Sequence, residues 1–271
     1  MSEFVPTIEI TNLPSFRFDD AKLAGIGDID SAFSFDTKER RERALRAKQS
    51  GLPIEWQDAA PAAPVQTASR KFSLALKRGV DIAGAMLGLM ALGPLLLIVA
   101  AGVKLTDRGP ALFRQQRVGM NGKPFDIYKF RSMYFDRCDV SGIAQTVASD
   151  SRVTPIGRII RKTSIDELPQ LLNVLRGEMS LVGPRPHVAG MLAAGVAYED
   201  LSPHYAYRYH MRPGITGWAQ CNRFRGATVS EDQAFGRLGH DIAYVQNYSL
   251  TLDAKVIWRT LRQEFLSGAA H

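Results

Sequence analysis

A long run of apolar residues is the strongest pattern in the chain. Residues 82–103 cover 22 positions without a charged side chain. Folded as a helix, this run would be roughly 33 Å long, enough to cross a hydrocarbon core of about 30 Å. A buried helix of a soluble protein is the alternative, but such helices are rarely apolar on every face for this long. The pattern therefore predicts a helix inserted in a membrane.

Two details of this segment argue against a simple membrane span. Gly93-Pro94 lies near its middle, where proline removes a backbone hydrogen bond and kinks a helix. Both flanks are basic, and the preference of Lys and Arg for the cytoplasmic side draws both ends to one face. These basic residues are Arg70, Lys71, Lys77 and Arg78 before the run, and Lys104, Arg108, Arg114 and Arg117 after it. We therefore expect a re-entrant helix hairpin that enters and leaves one leaflet, as in a monotopic membrane protein.

The residues beyond the apolar run have the mixed pattern of an α+β domain. Two segments with strand character, 111–118 and 123–131, flank Asn121-Gly122, a dipeptide favoured in tight hairpins. Leucines at helical spacing then predict a helix that Gly177 ends, and residues 242–265 are expected to be helical in part. The leucines are Leu168, Leu171, Leu172 and Leu175. We expect a mainly helical domain with a small β-hairpin.

These patterns divide the chain into three parts. Residues 1–68 form an N-terminal extension that we expect to be largely disordered, with a charged run at 36–48 and an Ala/Pro linker at 59–64. Residues 69–106 form the membrane-inserted region. Residues 107–271 form the third part, a domain expected on the cytoplasmic face of the membrane. No secretory signal is recognised at the N-terminus, because acidic and proline residues interrupt any apolar run there.

The net charge of +7 is unevenly distributed. Residues 1–68 hold 8 basic and 11 acidic side chains, which leaves 26 basic against 16 acidic side chains in residues 69–271. A balance of +10 favours a phosphorylated ligand or an anionic membrane, whereas a solvated basic surface is the plain alternative. Two cysteines exclude a disulfide framework and a four-cysteine zinc site, and the five histidines have no zinc-binding spacing. No nucleic-acid-binding motif is present.

The densest polar segment contains two adjacent carboxylates, Asp166 and Glu167. One interpretation is a capping box in which Ser164 caps a helix and Glu167 reaches back. Pro169 argues against it, because proline would then fall inside the helix and lose a hydrogen bond. With Asp166 near the helix start, Pro169 lies in the first turn at no cost. A carboxylate at that position stays ionised and lies beside a phosphate-binding helix end, although a plain N-cap aspartate remains the alternative.

Two further fragments suggest phosphate binding. Pro184 and Pro186 hold Arg185 in a stiff frame, because proline fixes the backbone angle φ. Arg212 precedes the Gly-rich turn that ends at Gly217, whose backbone N–H groups could approach an anion. A rigid connector and an ordinary turn are the alternative interpretations of these fragments.

Together these segments resemble the bacterial sugar transferases, also called monotopic phosphoglycosyl transferases, and in particular the short members that initiate exopolysaccharides. The resemblance covers about residues 70–265. It is carried by Lys77–Asp81, Gly109–Gly119, Tyr128–Met133, Arg161–Gln170, Gly183–Pro186, Arg212–Gly217 and Ser249–Asp253. Relatives often have Ser-Pro where this chain has Gly93-Pro94, and glycine lacks the hydroxyl that could satisfy a freed backbone carbonyl.

The resemblance implies an activity and a set of partners. It implies transfer of a sugar 1-phosphate, with glucose or galactose preferred, from a UDP-sugar to undecaprenyl phosphate with release of UMP. The partners would be these two substrates, membrane lipid and Mg²⁺, with no nucleic acid, while homo-oligomer formation is left open. A membrane-anchored anion-binding protein and a catalytically idle scaffold of the same family are the competing interpretations.

The resemblance also assigns roles to individual residues. Asp166 would attack the phosphate next to the sugar, and Glu167 would help to hold Mg²⁺ and assist the acceptor. The other assignments fall into two groups. Arg161, Arg185, Lys129, Arg131, Arg212 and Asp241 would bind phosphate or line the nucleotide and metal pocket, with Asp241 as a metal ligand, and Lys77, Arg78 and Asp81 would lie at the membrane surface near the lipid phosphate.

Overall fold

The computed structural model describes residues 64, 67–138, 150–193, 195–202, 204–226, 228 and 230–266. The predicted N-terminal extension, with its charged run and its linker, lies outside the described residues except for Pro64, Thr67 and Ala68. The described residues contain both helices and short two-stranded sheets, which confirms the α+β prediction.

The apolar run forms part of one long helix, α1 (Ala68–Thr106). Thr67 caps it, because its side-chain oxygen accepts a hydrogen bond from the Arg70 N–H at 3.1 Å. The helix is continuous through Pro94, so the structure contains one helix where the sequence predicted the two arms of a hairpin. Among the described residues, α1 is the one helix long and apolar enough to cross a membrane. Many of its large apolar side chains are exposed, including Leu87, Met90, Leu97 and Ile98.

Both halves of α1 pack on the rest of the protein. In the first half, Ala85 packs in a cluster with Leu171 and Val174. In the second half, Val99 and Val103 are buried with Phe130 and Ile160. The two halves of α1 therefore contact the same domain.

The predicted hairpin is confirmed. Strands β1 (Leu112–Val118) and β2 (Pro124–Phe130) pair antiparallel, with Val118 opposite Pro124 and Leu112 opposite Phe130. Asn121 and Gly122 both have positive φ values, 58° and 72°, as a tight hairpin connection requires. Lys129 lies near the end of β2 and Arg131 directly follows that strand, both next to the Leu112–Phe130 pair.

The central segment is a helix–turn–helix followed by a short strand. Helix α2 (Pro155–Lys162) is capped by Thr154, and helix α3 (Gln170–Arg176) ends at Gly177, whose φ is 86°. The predicted leucine-rich helix and its glycine end are thereby confirmed. Strand β3 (Ser180–Val182) follows and pairs in parallel with β6 (Gly214–Thr216).

The remaining elements pack around this centre. They are β4 (Leu192–Ala193), β5 (Val196–Ala197), α4 (Tyr198–Leu201), a 3₁₀ segment (Tyr205–His210), α5 (Trp218–Cys221), α6 (Glu231–Gln246) and α7 (Leu250–Leu266). Tyr198, Tyr205 and Leu238 form a third buried cluster. The helices α6 and α7 confirm the expected C-terminal helical region, and Trp258 on α7 is 67% exposed, so it does not lie on a core face.

Candidate active site

The Asp166–Glu167 pair lies in a tight turn between two helices. Ser164 adopts a left-handed conformation with φ 54°, and a 3₁₀ turn (Ile165–Glu167) leads into α3, with Pro169 just before its first residue. The Ser164 side chain makes no capping hydrogen bond; its backbone carbonyl accepts one from the Glu167 N–H at 3.2 Å. The capping box is therefore absent, and Pro169 lies where it costs no helical hydrogen bond.

Glu167 is held by two cations from distant parts of the chain. The Lys129 ammonium on β2 donates to Glu167 Oε1 at 2.7 Å. The Arg185 guanidinium donates to the same oxygen at 2.8 Å and to Oε2 at 3.4 Å. The β-hairpin and the segment after β3 thus converge on the turn, and the roles that the resemblance gives Lys129 and Arg185 toward the substrate stay predictions.

The pKa values of the two carboxyl groups are shifted in opposite directions. Burial and the neighbouring Glu167 charge raise the pKa of Asp166 to about 6, against the opposing effect of Lys129, Arg161 and Arg185. Burial would also raise the pKa of Glu167, but the Arg185 and Lys129 charges outweigh it and hold that pKa well below its usual range. The pair therefore combines a permanently charged Glu167 with an Asp166 that can exist in either protonation state, which is typical of functional sites.

Arg161 belongs to this cluster by its charge, whereas three other assigned residues are engaged elsewhere. Arg131 is buried, and its guanidinium pairs with the Asp107 carboxylate and donates to the Pro110 carbonyl at 2.8 Å. Arg212 donates to the Gly177 carbonyl at 2.8 Å, at the end of α3 away from the dyad. The Asp241 carboxylate accepts a hydrogen bond from Arg208 at 2.6 Å.

The charged residues of α1 are also engaged inside the protein. Lys77 and Asp81 are 5% and 3% exposed. The Lys77 ammonium donates to Asp253 at 2.6 Å, and the Asp81 carboxylate accepts hydrogen bonds from the Ser180 hydroxyl at 2.7 Å and the Leu181 N–H at 3.0 Å. These two side chains join α1 to β3 and α7, and their expected position at the membrane surface near the lipid phosphate stays a prediction. Arg78 is partly buried and donates to the Leu175 carbonyl at 3.2 Å.

Comparison with known proteins gives the family. The family model described as bacterial sugar transferase matches residues 72–267. The chain belongs to the bacterial sugar transferase family. Three relatives illustrate its range. They are an exopolysaccharide production protein PSS of Rhizobium leguminosarum (51% identical over 72% of this chain and 98% of that protein), an undecaprenyl-phosphate glucose phosphotransferase of Komagataeibacter xylinus (49%, 72% and 36%) and a UDP-glucose:undecaprenyl-phosphate glucose-1-phosphate transferase of Caulobacter vibrioides (49%, 68% and 68%).

In this sugar transferase, the glycines of two motifs bring backbones into close contact. A Cβ atom on Gly214 would lie 2.0 Å from the Gly183 nitrogen, and one on Gly217 would lie 2.3 Å from the Gly183 carbonyl oxygen. Only glycine allows this approach, because any side chain would collide with backbone atoms. The motif at 212–217 therefore packs against the segment that carries Arg185.

Three residues beside this transferase site were not assigned to it from the sequence: Arg117, His187 and Arg208. Arg117 donates a long hydrogen bond of 3.4 Å to the Pro186 carbonyl. Burial, and to a smaller extent the nearby Arg185 charge, lower the pKa of Arg117 to about 10. His187 and Arg208 lie directly behind the Arg185 segment, with Arg208 Nη1 2.7 Å from His187 Nδ1. The only signal for them was position: Arg117 and His187 lie in or beside two of the motifs.

Proposed function

We propose that this protein transfers a hexose 1-phosphate from a UDP-hexose to undecaprenyl phosphate, releasing UMP, as the first membrane step of exopolysaccharide synthesis. The observation that carries the proposal is the Asp166–Glu167 turn with Lys129, Arg161 and Arg185 around it. The names of the relatives support glucose as the sugar, because two of the three act on glucose by name. A relative of Aeromonas hydrophila, 41% identical, is named for N-acetylgalactosamine instead.

The chemistry follows from the charges around the dyad. An Asp166 carboxylate oxygen attacks the phosphorus next to the sugar, forming an aspartyl–phosphosugar bond. The bond from that phosphorus to the bridging oxygen breaks, and its electron pair leaves with UMP. A lipid phosphate oxygen then attacks the same phosphorus and returns the carboxylate. An anionic nucleophile can approach an anionic pyrophosphate only where cations neutralise it, which Lys129, Arg161 and Arg185 can do.

The donor set suits Mg²⁺ only in part. Among the residues that the structure describes, no three His, Cys, Asp or Glu side chains converge, so a cage made of protein ligands alone does not fit. Mg²⁺ is commonly held by one or two carboxylates together with substrate phosphates, and Asp166 and Glu167 provide such a pair. When bound there, Mg²⁺ would neutralise pyrophosphate charge. Asp241 is left out of this set because its side chain is only 2% exposed, against 19% for Glu167, and pairs with Arg208 in the interior.

A monotopic arrangement is supported by the packing of α1. Lys77, before the apolar run, contacts Asp253, and Val103, at its end, is buried with Phe130. A helix that crossed the bilayer would separate these flanks by the thickness of the membrane, yet both contact one domain. We therefore propose that both flanks lie on the cytoplasmic face of the bacterial inner membrane and that the exposed apolar middle of α1 dips into one leaflet around Gly93-Pro94.

Cysteine labelling tests this topology. Ser69→Cys and Thr106→Cys, made separately in a protein without Cys138 and Cys221, carry exposed labels at the two ends of α1. Both should resist a membrane-impermeant maleimide in spheroplasts and react in inverted vesicles. Reaction of only one of them in spheroplasts would contradict the proposal.

Release of UMP tests the activity. The purified protein with Mg²⁺ should release UMP from UDP-glucose, and undecaprenyl phosphate should accept the sugar phosphate. Asp166→Asn should reduce UMP release to background because no nucleophile remains, while Asp200→Asn, which changes an exposed aspartate, should retain full activity. Full activity of Asp166→Asn would reject the assignment of Asp166 as the nucleophile. Turnover of UDP-galactose or UDP-N-acetylgalactosamine alone would reject glucose as the sugar. Absence of UMP release by the unchanged protein would favour the catalytically idle scaffold.

A further inference from the structure

Arg208 is a buried arginine that connects three parts of the molecule behind the site. It lies in the 3₁₀ segment Tyr205–His210 and is 2% exposed. Its Nη2 donates to the Asp241 carboxylate on α6 at 2.6 Å and to the Arg185 carbonyl oxygen at 2.6 Å. Its Nη1 lies 2.7 Å from His187 Nδ1. Both terminal nitrogens of the guanidinium are therefore held by buried partners.

His187 strengthens this fixation. Burial and the surrounding arginine charges lower the pKa of His187 well below its ordinary value, so the imidazole is neutral. Arginine is only a donor, so His187 Nδ1 accepts the hydrogen bond from Arg208. Asp241, itself 1% exposed, supplies the negative charge that a buried guanidinium requires.

The contact between Arg208 and the Arg185 carbonyl bears on the dyad. Pro184 and Pro186 restrict the backbone on both sides of Arg185, so holding its carbonyl oxygen also fixes the direction in which its Cα–Cβ bond leaves the backbone. That side chain donates to Glu167 at 2.8 Å. A continuous series of contacts thus runs from Asp241 through Arg208 and Arg185 to Glu167.

We propose that Arg208 and Asp241 are positioning residues for Arg185, which they hold in the orientation that lets its guanidinium meet Glu167 and the substrate phosphate. This inference rests on the proposed function, in which Arg185 neutralises the pyrophosphate. Neither Arg208 nor Asp241 needs to touch substrate. Asp241, assigned from the resemblance to the metal pocket, acts here through Arg208.

A double-mutant cycle tests positioning against a purely structural role. Arg208→Lys keeps the charge opposite Asp241, but a single ammonium cannot reproduce the planar fork that reaches Asp241, His187 and the Arg185 carbonyl. We expect kcat/KM for UDP-glucose to fall about tenfold in the otherwise unchanged protein, as for loss of one charge-assisted hydrogen bond. In an Arg185→Met background the same change should cost less than twofold, because the group being positioned is already gone.

Arg237→Lys is the matched control. Arg237 is also a buried arginine of the same region, but its hydrogen bond goes to the Gly226 carbonyl at 2.9 Å. The effect of Arg237→Lys on kcat/KM should be the same with and without the Arg185 side chain. Asp241→Asn provides a second cycle if Arg208→Lys lowers the unfolding temperature severely, and it should show the same loss of effect in the Arg185→Met background.

The outcomes are distinct. Equal losses for Arg208→Lys and Asp241→Asn with and without the Arg185 side chain would overturn the positioning role and leave the proposed function intact. Absence of UMP release by the unchanged protein would overturn the proposed function and this inference with it.

Discussion

The structure contains two clusters of charged side chains with opposite balances. Around the dyad, the carboxylates Asp166 and Glu167 face three cations, and the cluster is partly open to solvent. Around Lys77, one cation faces the carboxylates Asp81 and Asp253 in the interior. The first cluster has an excess of positive charge, and the second has an excess of negative charge.

The hydrogen bonds explain why this difference matters. In the Lys77 cluster, each carboxylate has strong donors: Asp253 accepts from Lys77 and from the Tyr244 hydroxyl, both at 2.6 Å, and Asp81 accepts from Ser180 and Leu181. In the dyad cluster, Glu167 takes the hydrogen bonds of Lys129 and Arg185. Burial raises the pKa of Asp166, as it also raises that of Asp253, so the two clusters differ in their hydrogen bonds and not in this shift. Complete pairing stabilises a fold, whereas uneven pairing leaves a carboxylate and spare positive charge for an anionic substrate.

The largest expected effect comes from breaking the Lys77 cluster. Lys77→Met leaves Asp81 and Asp253 buried without their shared cation, which should lower the free energy of unfolding by about 3–5 kcal/mol. Denaturant unfolding in detergent measures it. Lys71→Met, which changes an exposed lysine on the same helix, should have almost no effect. Equal stability of the two variants would show that the Lys77 cluster contributes no more than a surface charge.

The next effect is the pH dependence of the dyad. The first half-reaction needs an ionised Asp166. Burial and the Glu167 charge raise the pKa of this carboxyl group to about 6. Below pH 6 the ionised fraction falls, so kcat/KM for UMP release should drop about tenfold per pH unit. Rapid-quench measurement from pH 4.5 to 8, without lipid acceptor, gives the profile. A profile flat down to pH 5 would contradict the raised pKa.

Local structure in this protein was predictable from the sequence, because its causes are local. Asn121-Gly122 supplies the two positive φ angles of the hairpin, and Gly177 supplies the one that ends α3. Pro169 correctly excluded the capping box. Lys129 and Arg185, which meet Glu167, lie in family motifs, while the substrate-binding roles assigned to them stay predictions.

Partner choice between distant charges was not predictable. Arg131 and Asp241 belong to polar segments of the family, yet they pair with Asp107 and Arg208. Lys77 meets Asp253 across 176 positions of sequence. Such pairs depend on which faces of separate elements meet after folding, and a one-dimensional pattern of charges is compatible with many pairings. The continuous α1 has a related cause, since packing against the domain on both halves supports a helix through Pro94.

The smallest effect separates charge from geometry at the dyad. Arg185→Lys keeps a cation beside Glu167 but replaces a fork that makes two contacts, at 2.8 and 3.4 Å, with a single ammonium. Because Lys129 and Arg161 remain, we expect only the loss of one hydrogen bond of about 1 kcal/mol, a roughly fivefold decrease in kcat/KM for UDP-glucose. Arg185→Met also removes the charge and should cost at least tenfold more. If both variants lost activity equally, geometry rather than excess positive charge would be what distinguishes the dyad cluster from the Lys77 cluster.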